Sequence, residues 1–390
     1  MFWVTVVFFF LGAAPGFWAP SVSNMLRQNG LEDFVPWAFV PHGVAALVSP
    51  LIFGALADQR IRADRLLMVT CALSAVSLWL AFRAIVWDWG VEWFVVFLVL
   101  NAVIAAPMWS LMATIAMRPM TDPGKQFPLV RIGGTLGWIT AGLVTGSWLK
   151  LEGTPRIGDW ACGMKLMVAG LCFMLPATEP VVKEGLRTWK DRLGLGALSL
   201  LRERDQLVFF ITTALLSVPM AAFYMYTPLH LADLGDEGPS ATMAWSQLLE
   251  VVALIALAYS ASRFRVKWIF SLALGLAVLR YGIFAISGSV PGIVSGLLLH
   301  GMIYTFFYVT GQVFMERRVE AGMRAQAQAL LSVMSSGVGS LCGYTLCYFL
   351  YERFGKAGDW TSFWCVLTGI CGAALVLFVG CYRSEGASKA

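Results

Sequence analysis

Two polar residues stand inside an apolar stretch near the middle of the chain. Residues 243–262 form a run long enough to cross a bilayer, and the run contains Gln247 and Glu250. A spacing of three residues predicts that both side chains share one face of a helix. Because a carboxylate costs several kcal/mol in hydrocarbon, such a residue usually faces a cavity, a partner or a substrate path. The stretch therefore predicts a polar site within a membrane, with Glu250 at its centre.

A second polar stripe lies in the sequence FPLVRIGGTLGWITAG, residues 127–142. Arg131, Thr135 and Trp138 follow the i, i+4, i+7 spacing of one helix face, and glycines beside them would let another helix approach closely. The three residues offer a charge, a hydroxyl and a flat ring. Two interpretations stay open: the stripe lines the same cavity as Glu250, or Arg131 snorkels to the membrane interface.

A third group is predicted in the segment GLLLHGMIYTFFYVTGQVFMERR, residues 296–318. His300 and Tyr304 share a helix face with either Phe307 or Tyr308. A neutral histidine at membrane depth is a hydrogen-bonding group, whereas a titrating one could carry protons. His300 is therefore either a packing residue or part of the site.

The elements that must position these residues follow from composition. The chain has 390 residues, of which 58% are hydrophobic and only 13% charged, whereas soluble domains carry about a quarter charged residues. An integral membrane protein is therefore predicted, and the net charge of +5 does not indicate a nucleic-acid partner. The eight cysteines form no CxxC pair, so neither a metal site nor a cofactor is predicted.

Twelve apolar segments of about 20 residues indicate an all-α membrane protein. They lie near 2–25, 34–57, 65–84, 91–116, 127–149, 160–178, 207–231, 242–262, 267–287, 289–314, 326–350 and 360–381. The first segment is expected to break at Pro15–Gly16. The predicted organisation is a six-helix bundle at 1–178, a cytoplasmic loop at 179–206, a second six-helix bundle at 207–382 and a cytoplasmic tail at 383–390.

Basic residues predict the orientation. Nineteen Lys and Arg residues fall in the even-numbered loops and the tail, against seven, Lys165 among them, in the odd-numbered loops. This bias places both termini in the cytoplasm. The two halves also resemble one another: a basic turn follows both the second and the eighth segment. A weak repeat of six spans is typical of transporters whose two bundles are related by pseudo-symmetry and alternate access to a midplane site.

The turn GALADQRIRADR, residues 54–65, follows the second segment. It places Asp58 among Arg60, Arg62 and Arg65, and such a set can form a charge network that locks one conformation and breaks in another. The turn resembles the motif between helices two and three of the major facilitator superfamily. It is interpreted as a gate, in preference to a solvated loop that only sets topology.

Within that superfamily the whole chain resembles the nucleoside–proton symporter family. The most specific pieces are GALAD (54–58), FPLVRIGGTLGW (127–138), WKDRLGLGAL (189–198), SQLLE (246–250), Arg280–Tyr281 and TGQVFMERRVEAGMRAQAQ (310–328). The resemblance implies proton-coupled nucleoside import through the inner membrane. It also implies a substrate site formed by Arg131, Thr135, Trp138, Tyr224, Gln247, Glu250, His300 and Tyr304.

The chain departs from the family pattern at two places. Thr305 stands where the family often has an aspartate, and Ala221 and Tyr224 replace an amide pair. Glu250 is then the best proton carrier, with His300 as its possible partner. The second departure leaves the particular substrate open.

Several alternatives are weighed against nucleoside symport. A carrier or uniporter for a sugar or cell-wall fragment would keep the same fold. An enzyme would need a nucleophile–base pair or metal ligands at depth, and the sequence has no HExxH, GxSxG or paired intramembrane acids. A sensor would be expected to carry a signalling domain, for which the tail RSEGASKA leaves no room. The expected partners are a small solute, protons and lipid, with the protein acting as a monomer.

Overall fold

The structure is a computed structural model of the chain. It describes residues 1–59, 61–121, 123–178, 195–260, 265–319 and 324–383. Side chains are described in these ranges except at 50–59, 123–125, 128, 195–197, 258–260, 316–317 and 324–326. No β-strand occurs in this part of the chain, which is helical nearly throughout.

The first half of the chain contains eight α-helices. They are α1 (Phe2–Trp18), α2 (Val22–Gln28), α3 (Val35–Gln59), α4 (Ala63–Val86), α5 (Val91–Ala105), α6 (Met108–Met117), α7 (Pro123–Leu143) and α8 (Arg156–Leu171). A π-helical turn, Val144–Trp148, extends α7, and a 3₁₀ turn, Cys172–Met174, ends α8. Pro107 separates α5 from α6 because proline cannot donate a backbone hydrogen bond.

The second half contains ten α-helices in the described residues. They are α9 (Arg204–Met225), α10 (Thr227–Asp233), α11 (Pro239–Ala244), α12 (Leu248–Ser260), α13 (Val266–Ile286), α14 (Val290–Ile303), α15 (Thr310–Arg318), α16 (Arg324–Ser332), α17 (Ser340–Arg353) and α18 (Trp360–Cys381). Two π-helical stretches, Tyr304–Val309 and Val333–Gly339, join α14 to α15 and α16 to α17.

Ten helical segments in the described residues are long and apolar enough to cross a membrane, counting helices that run together as one. The remaining two predicted spans, 34–57 and 127–149, coincide with α3 and with α7. The prediction of an all-α protein with twelve membrane segments is therefore confirmed. Hydropathy locates such segments reliably because backbone groups in hydrocarbon can be satisfied only within helices or closed barrels.

The helices fall into two compact units. Unit 1 comprises Met1–Arg187 and Asp236–Ala244, and unit 2 comprises Thr188–Gly235 and Trp245–Ala390. The short helix α11 thus packs with the first half of the chain, whereas α12, which follows it directly, packs with the second half. The domain boundaries predicted from the sequence remain a prediction.

The break in the first membrane segment lies later than predicted. Helix α1 continues through Pro15 to Trp18, and Ala19 still donates a backbone hydrogen bond to the Pro15 carbonyl at 2.9 Å. The chain then turns over residues 19–21 before α2 begins. Pro20 has no N–H with which to continue the helix. The expected break at Pro15–Gly16 was therefore wrong.

Helices α1 and α7 of unit 1 are in backbone contact along much of their length. An added Cβ at Gly12 would overlap the Gly134 carbonyl, and one at Gly137 would overlap the Phe9 carbonyl. A Cβ at Gly16 would lie 3.1 Å from the Cα of Trp138. Small residues allow this approach, which supplies the dispersion contacts that hold membrane helices together.

Lys165 does not lie in a loop, contrary to the sequence prediction. It is in α8, is 6% exposed, and its ammonium donates to the Asn101 side-chain oxygen and to Ser74 Oγ at 3.1 Å. The sequence count treated it as a loop charge, but the partners on α4 and α5 stabilise it inside the unit. Removing Lys165 from the odd-numbered loops increases the charge difference between the two sides.

The two units repeat one polar connection. In unit 1 the start of α4 binds the chain just after α8: Ala63 N–H donates to the Thr178 carbonyl at 3.1 Å, and Thr178 N–H to Asp64 at 3.0 Å. In unit 2 Lys267, at the start of α13, donates to the Tyr382 carbonyl after α18 at 2.6 Å. Both connections join the third and sixth membrane segments of their half, as the predicted internal repeat requires.

Helix α11 is held to unit 1 by a buried carboxylate. Glu152 Oε1 accepts a hydrogen bond of 2.6 Å from the backbone N–H of Ser240, whose hydroxyl also contacts that of Ser21. Burial raises the pKa of Glu152 and the nearby Asp236 adds to the shift, while hydrogen bonds from Ser240 and Ser21 oppose it. The protonated form is thus favoured more in the folded protein than in the unfolded chain.

Gly137→Ala should destabilise unit 1, because the new methyl group would collide with the Phe9 backbone. We expect a loss of about 1–3 kcal/mol, seen as a lower melting temperature in detergent. Gly163→Ala is the matched control, since Gly163 lies inside α8 with no atom within 4 Å of an added Cβ. Equal melting temperatures for the two variants would contradict the close packing of α1 on α7.

The raised pKa of Glu152 predicts the sign of a pH effect. The stability that its protonated form contributes is present at low pH and is lost as the pH rises through the raised pKa. Glu152→Gln keeps the acceptor for Ser240 without a charge, so it should melt higher than wild type at neutral pH. Glu152→Ala removes the acceptor and should melt lower. The measurement is melting temperature from about pH 4 to 8; an identical pH profile for wild type and Glu152→Gln would exclude this role.

Candidate functional site

Glu250 and Gln247 lie at the start of the buried part of the eighth membrane segment. Gln247 ends a 3₁₀ turn, Trp245–Gln247, and Glu250 occupies the first turn of α12. Each side chain is only 8% exposed. The tenth segment packs directly on this turn, since a Cβ at Gly301 would overlap the Glu250 backbone.

His300 of α14 is fixed on two sides. Its ring stacks on Phe223 with centroids 3.8 Å apart and 12° between planes, and Tyr224 meets it edge-on at 6.5 Å. Its Nδ1 lies 3.0 Å from a guanidinium nitrogen of Arg280. Tyr224 also lies within electrostatic reach of Glu250. Unit 2 therefore brings together three of the predicted site residues, Tyr224, Glu250 and His300.

The π-helical stretch Tyr304–Val309 sets the direction of the remaining aromatic residues. Tyr304 and Tyr308 lie 5.7 Å apart, and the Tyr308 hydroxyl is 3.0 Å from Ser217 Oγ. Phe307 instead stacks in the apolar core against Phe209. Of the two residues left open by the sequence, Tyr308 is the one beside Tyr304.

Thr305 occupies the same π-helical stretch. It is fully buried, and its hydroxyl oxygen has no hydrogen-bond partner among the described residues. The Thr310 hydroxyl donates to the Thr305 carbonyl at 3.1 Å, which satisfies an acceptor that the wide helical turn would otherwise strand. Thr305 supplies no charge at the position where the family often has an acid.

The polar stripe of α7 belongs to unit 1. Arg131, Thr135 and Trp138 are all half-buried, beside the glycine face that packs on α1. Leu136, on another side of the same helix, is 50% exposed. The close approach of α1 accounts for the glycines and leaves the three polar side chains on the adjoining face.

Only part of the predicted gate lies within the described side chains. Arg62 forms an ion pair of 2.8 Å with Asp64, and Arg65 is exposed. The side chain of Asp58 and all of Arg60 lie outside the described residues. The gate remains a prediction.

Sequence reasoning missed two polar contacts of unit 2. Arg280 was set aside as an arginine within a segment, yet it is fully buried and contacts His300. Ser217 was not singled out, although it binds Tyr308. A charged residue at the centre of an apolar segment was the available signal for Arg280. Among the described residues, no group of three or more His, Cys, Asp or Glu could hold a metal ion.

Solved structures of similar fold define the class of this protein. Two crystal structures of the nucleoside transporter NupG, one of them of a mutant, match with TM-scores of 0.88 and 0.83. The first covers 98% of this chain and 99% of that one at 21% identity, and the second covers 98% of each at 22% identity. The fold is that of a multi-pass membrane transporter of the major facilitator type.

Sequence comparison identifies the family. The sequence model of the Nucleoside H+ symporter family matches residues 2–387, and this chain belongs to that family. YegT of Escherichia coli (strain K12) is 28% identical over 391 residues, covering 95% of this chain and 91% of the relative. Xanthosine permease of the same organism is 28% identical over 375 residues, covering 91% of this chain and 88% of the relative. The protein is a proton-coupled nucleoside transporter and not an enzyme.

The half-buried stripe of α7 predicts a difference between neighbouring positions. In a background without the eight cysteines, Thr135→Cys should react with a small charged thiol reagent, and nucleoside should slow the reaction. Leu136→Cys is the control, because a charged reagent does not partition into hydrocarbon beside an exposed apolar face. The measurement is labelling rate in membranes. An inert Thr135→Cys would mean that this face packs against protein or lipid.

Proposed function

We propose that Glu250 carries the proton during nucleoside import and contacts the substrate together with Gln247, Tyr224 and Tyr304. The carrying observation is a carboxyl group of 8% exposure on a membrane segment, beside Tyr224. Burial favours the neutral form of a carboxyl group, so a site of this kind can take up a proton. If protonation and substrate favour the same conformation, a proton gradient drives accumulation by linkage.

The chemistry of these side chains suits a nucleoside. The ribose presents hydroxyl groups, which Glu250 and Gln247 can bind by charge-assisted and neutral hydrogen bonds. The base presents a flat face, which the rings of Tyr304 or Trp138 can stack against. Arg131 and Thr135 would add a charge and a hydroxyl to substrate binding. The names of the relatives, which refer to xanthosine and to nucleosides, support this assignment over the alternative of a sugar or cell-wall fragment.

His300 contributes to binding rather than to proton transfer in this proposal. Its Nδ1 faces a guanidinium, and arginine has only donors, so this nitrogen must accept. A second proton on the ring would require that hydrogen bond to break and would place two cations side by side. Glu250 is therefore the preferred proton carrier of the two candidates.

Orientation and location extend the proposal. Basic residues concentrate in the even-numbered loops, and the burial of Lys165 removes a charge from the other side. By the positive-inside rule both termini lie in the cytoplasm and the protein resides in the inner membrane. We propose that it acts as a monomer and that Asp58, Arg60, Arg62 and Arg65 form the cytoplasmic gate.

Glu250→Gln should abolish accumulation while keeping the fold, because it conserves size and removes only the ionisable group. In proteoliposomes with an inward proton gradient, wild type should concentrate labelled nucleoside, and a protonophore should reduce uptake to equilibration. Glu250→Gln should lose accumulation by about tenfold or more, equivalent to about 1.4 kcal/mol. Glu352→Gln, which alters an exposed glutamate paired with Lys356, is the matched control.

Two outcomes would contradict this assignment. Accumulation by Glu250→Gln at the wild-type level would exclude Glu250 as the proton carrier. Equilibration by wild type with and without the protonophore would instead exclude coupling and indicate a uniporter.

A further inference from the structure

Arg280 occupies a costly position that the proposed function does not use. It lies in α13, is fully buried, and its Nε and Nη2 have no hydrogen-bond partner among the described residues. Its guanidinium sits over the rings of Phe223 at 4.6 Å and Tyr281 at 4.7 Å. Aromatic faces stabilise a desolvated cation only in part, so this charge is retained at an energetic cost.

The polar contact of Arg280 is directed at the candidate site. Nη1 lies 3.0 Å from Nδ1 of His300, and a weaker contact of 3.7 Å joins it to Met220 Sδ. Arginine has no acceptor and stays protonated, so it must donate to Nδ1. The single proton of a neutral imidazole is then on Nε2. The Phe223 ring, stacked on His300 and in contact with Arg280, fixes the plane in which this proton points.

The surroundings of His300 are consistent with a single neutral tautomer. Four polar groups lie around it: Arg280 from α13, Tyr224 from α9, Glu250 at the contact between α12 and Gly301, and Tyr304 four residues further along. Arg280 is the one of these with a recorded hydrogen bond to the ring.

We propose that Arg280 is a positioning residue that holds His300 as its Nε2–H tautomer, so that His300 donates a hydrogen bond to the nucleoside. This inference rests on the proposed substrate site. Its consequence is specificity: the substrate atom facing His300 must be an acceptor, such as a carbonyl oxygen or an unprotonated ring nitrogen of the base. A site built to donate a hydrogen bond rejects an analogue without the acceptor far more strongly than one of slightly different size.

The tautomer can be measured without any substrate. The chain has three histidines, so ¹⁵N-histidine labelling gives few signals, and His300→Gln assigns the one of interest. In membranes, wild type should show a protonated Nε2 and an unprotonated, hydrogen-bonded Nδ1. Arg280→Met removes the donor at similar length, so the Nδ1 resonance should move and a second tautomer should appear. Protonation of Nδ1 in wild type, or an Nδ1 resonance unaffected by Arg280→Met, would overturn the proposal.

Transport separates positioning from packing. Nucleosides in which one ring nitrogen is replaced by C–H test each acceptor of the base in turn. Wild type should bind the analogue that lacks the contacted acceptor about tenfold more weakly, as expected for one lost hydrogen bond. Arg280→Met should raise KM for the parent nucleoside by a similar factor and lose this discrimination. Arg280→Lys, which keeps a donor, should restore part of both.

The controls distinguish the possible failures. Melting temperatures verify that each variant is folded, and Arg280→Lys provides a second variant if Arg280→Met is not. A purely structural Arg280 would weaken all analogues equally, which would overturn the specificity role. Absence of nucleoside binding by wild type would refute the proposed substrate site, whereas the ¹⁵N measurement would still decide whether Arg280 sets the tautomer.

Discussion

The absence of water from the hydrocarbon core of a membrane is the constraint on which this structure depends. Each buried polar group must find its partner inside the protein, because an unsatisfied one costs several kcal/mol. Lys165 meets this requirement through a side-chain amide and a hydroxyl of neighbouring helices. Arg280 meets it through one ring nitrogen and several aromatic faces. Both cations are stabilised without a carboxylate among their recorded partners, which leaves Glu250 to interact with ligands and protons.

Close helix packing follows from the same constraint. Between helices in lipid there is little hydrophobic driving force, so association relies on dispersion and on backbone approach. In unit 1 the glycine face of α7 is occupied by α1, and this contact determines which side of α7 carries Arg131, Thr135 and Trp138. In unit 2 Gly301 lets α14 approach the backbone of Glu250. Glycines therefore place the polar residues of both units although they carry no chemistry themselves.

The arrangement in unit 2 divides the work between two ionisable groups. Glu250 can exist with or without a proton, whereas His300 is kept neutral by a permanent cation at its Nδ1. A symporter benefits from such a division, because a proton bound at a second site without linkage to the substrate would weaken coupling. The π-helical stretch after α14 contributes by bringing Tyr308 beside Tyr304 and by turning Phe307 into the core.

The sequence by itself determined the number of membrane segments, the family and the presence of Glu250 at depth, because hydropathy and motif spacing are local properties. It misplaced the break in the first segment, since Pro15 and Pro20 look equivalent until backbone hydrogen bonds are seen. It also assigned Lys165 to a loop, because the oxygens that stabilise this charge come from residues 64 and 91 positions away. The choice between Phe307 and Tyr308 depended on a π-helical turn that shifts the helical phase. Only the tertiary structure could pair Arg280 with His300, because a hydrogen bond between two helices is set by how they pack and leaves no periodic signal along the chain.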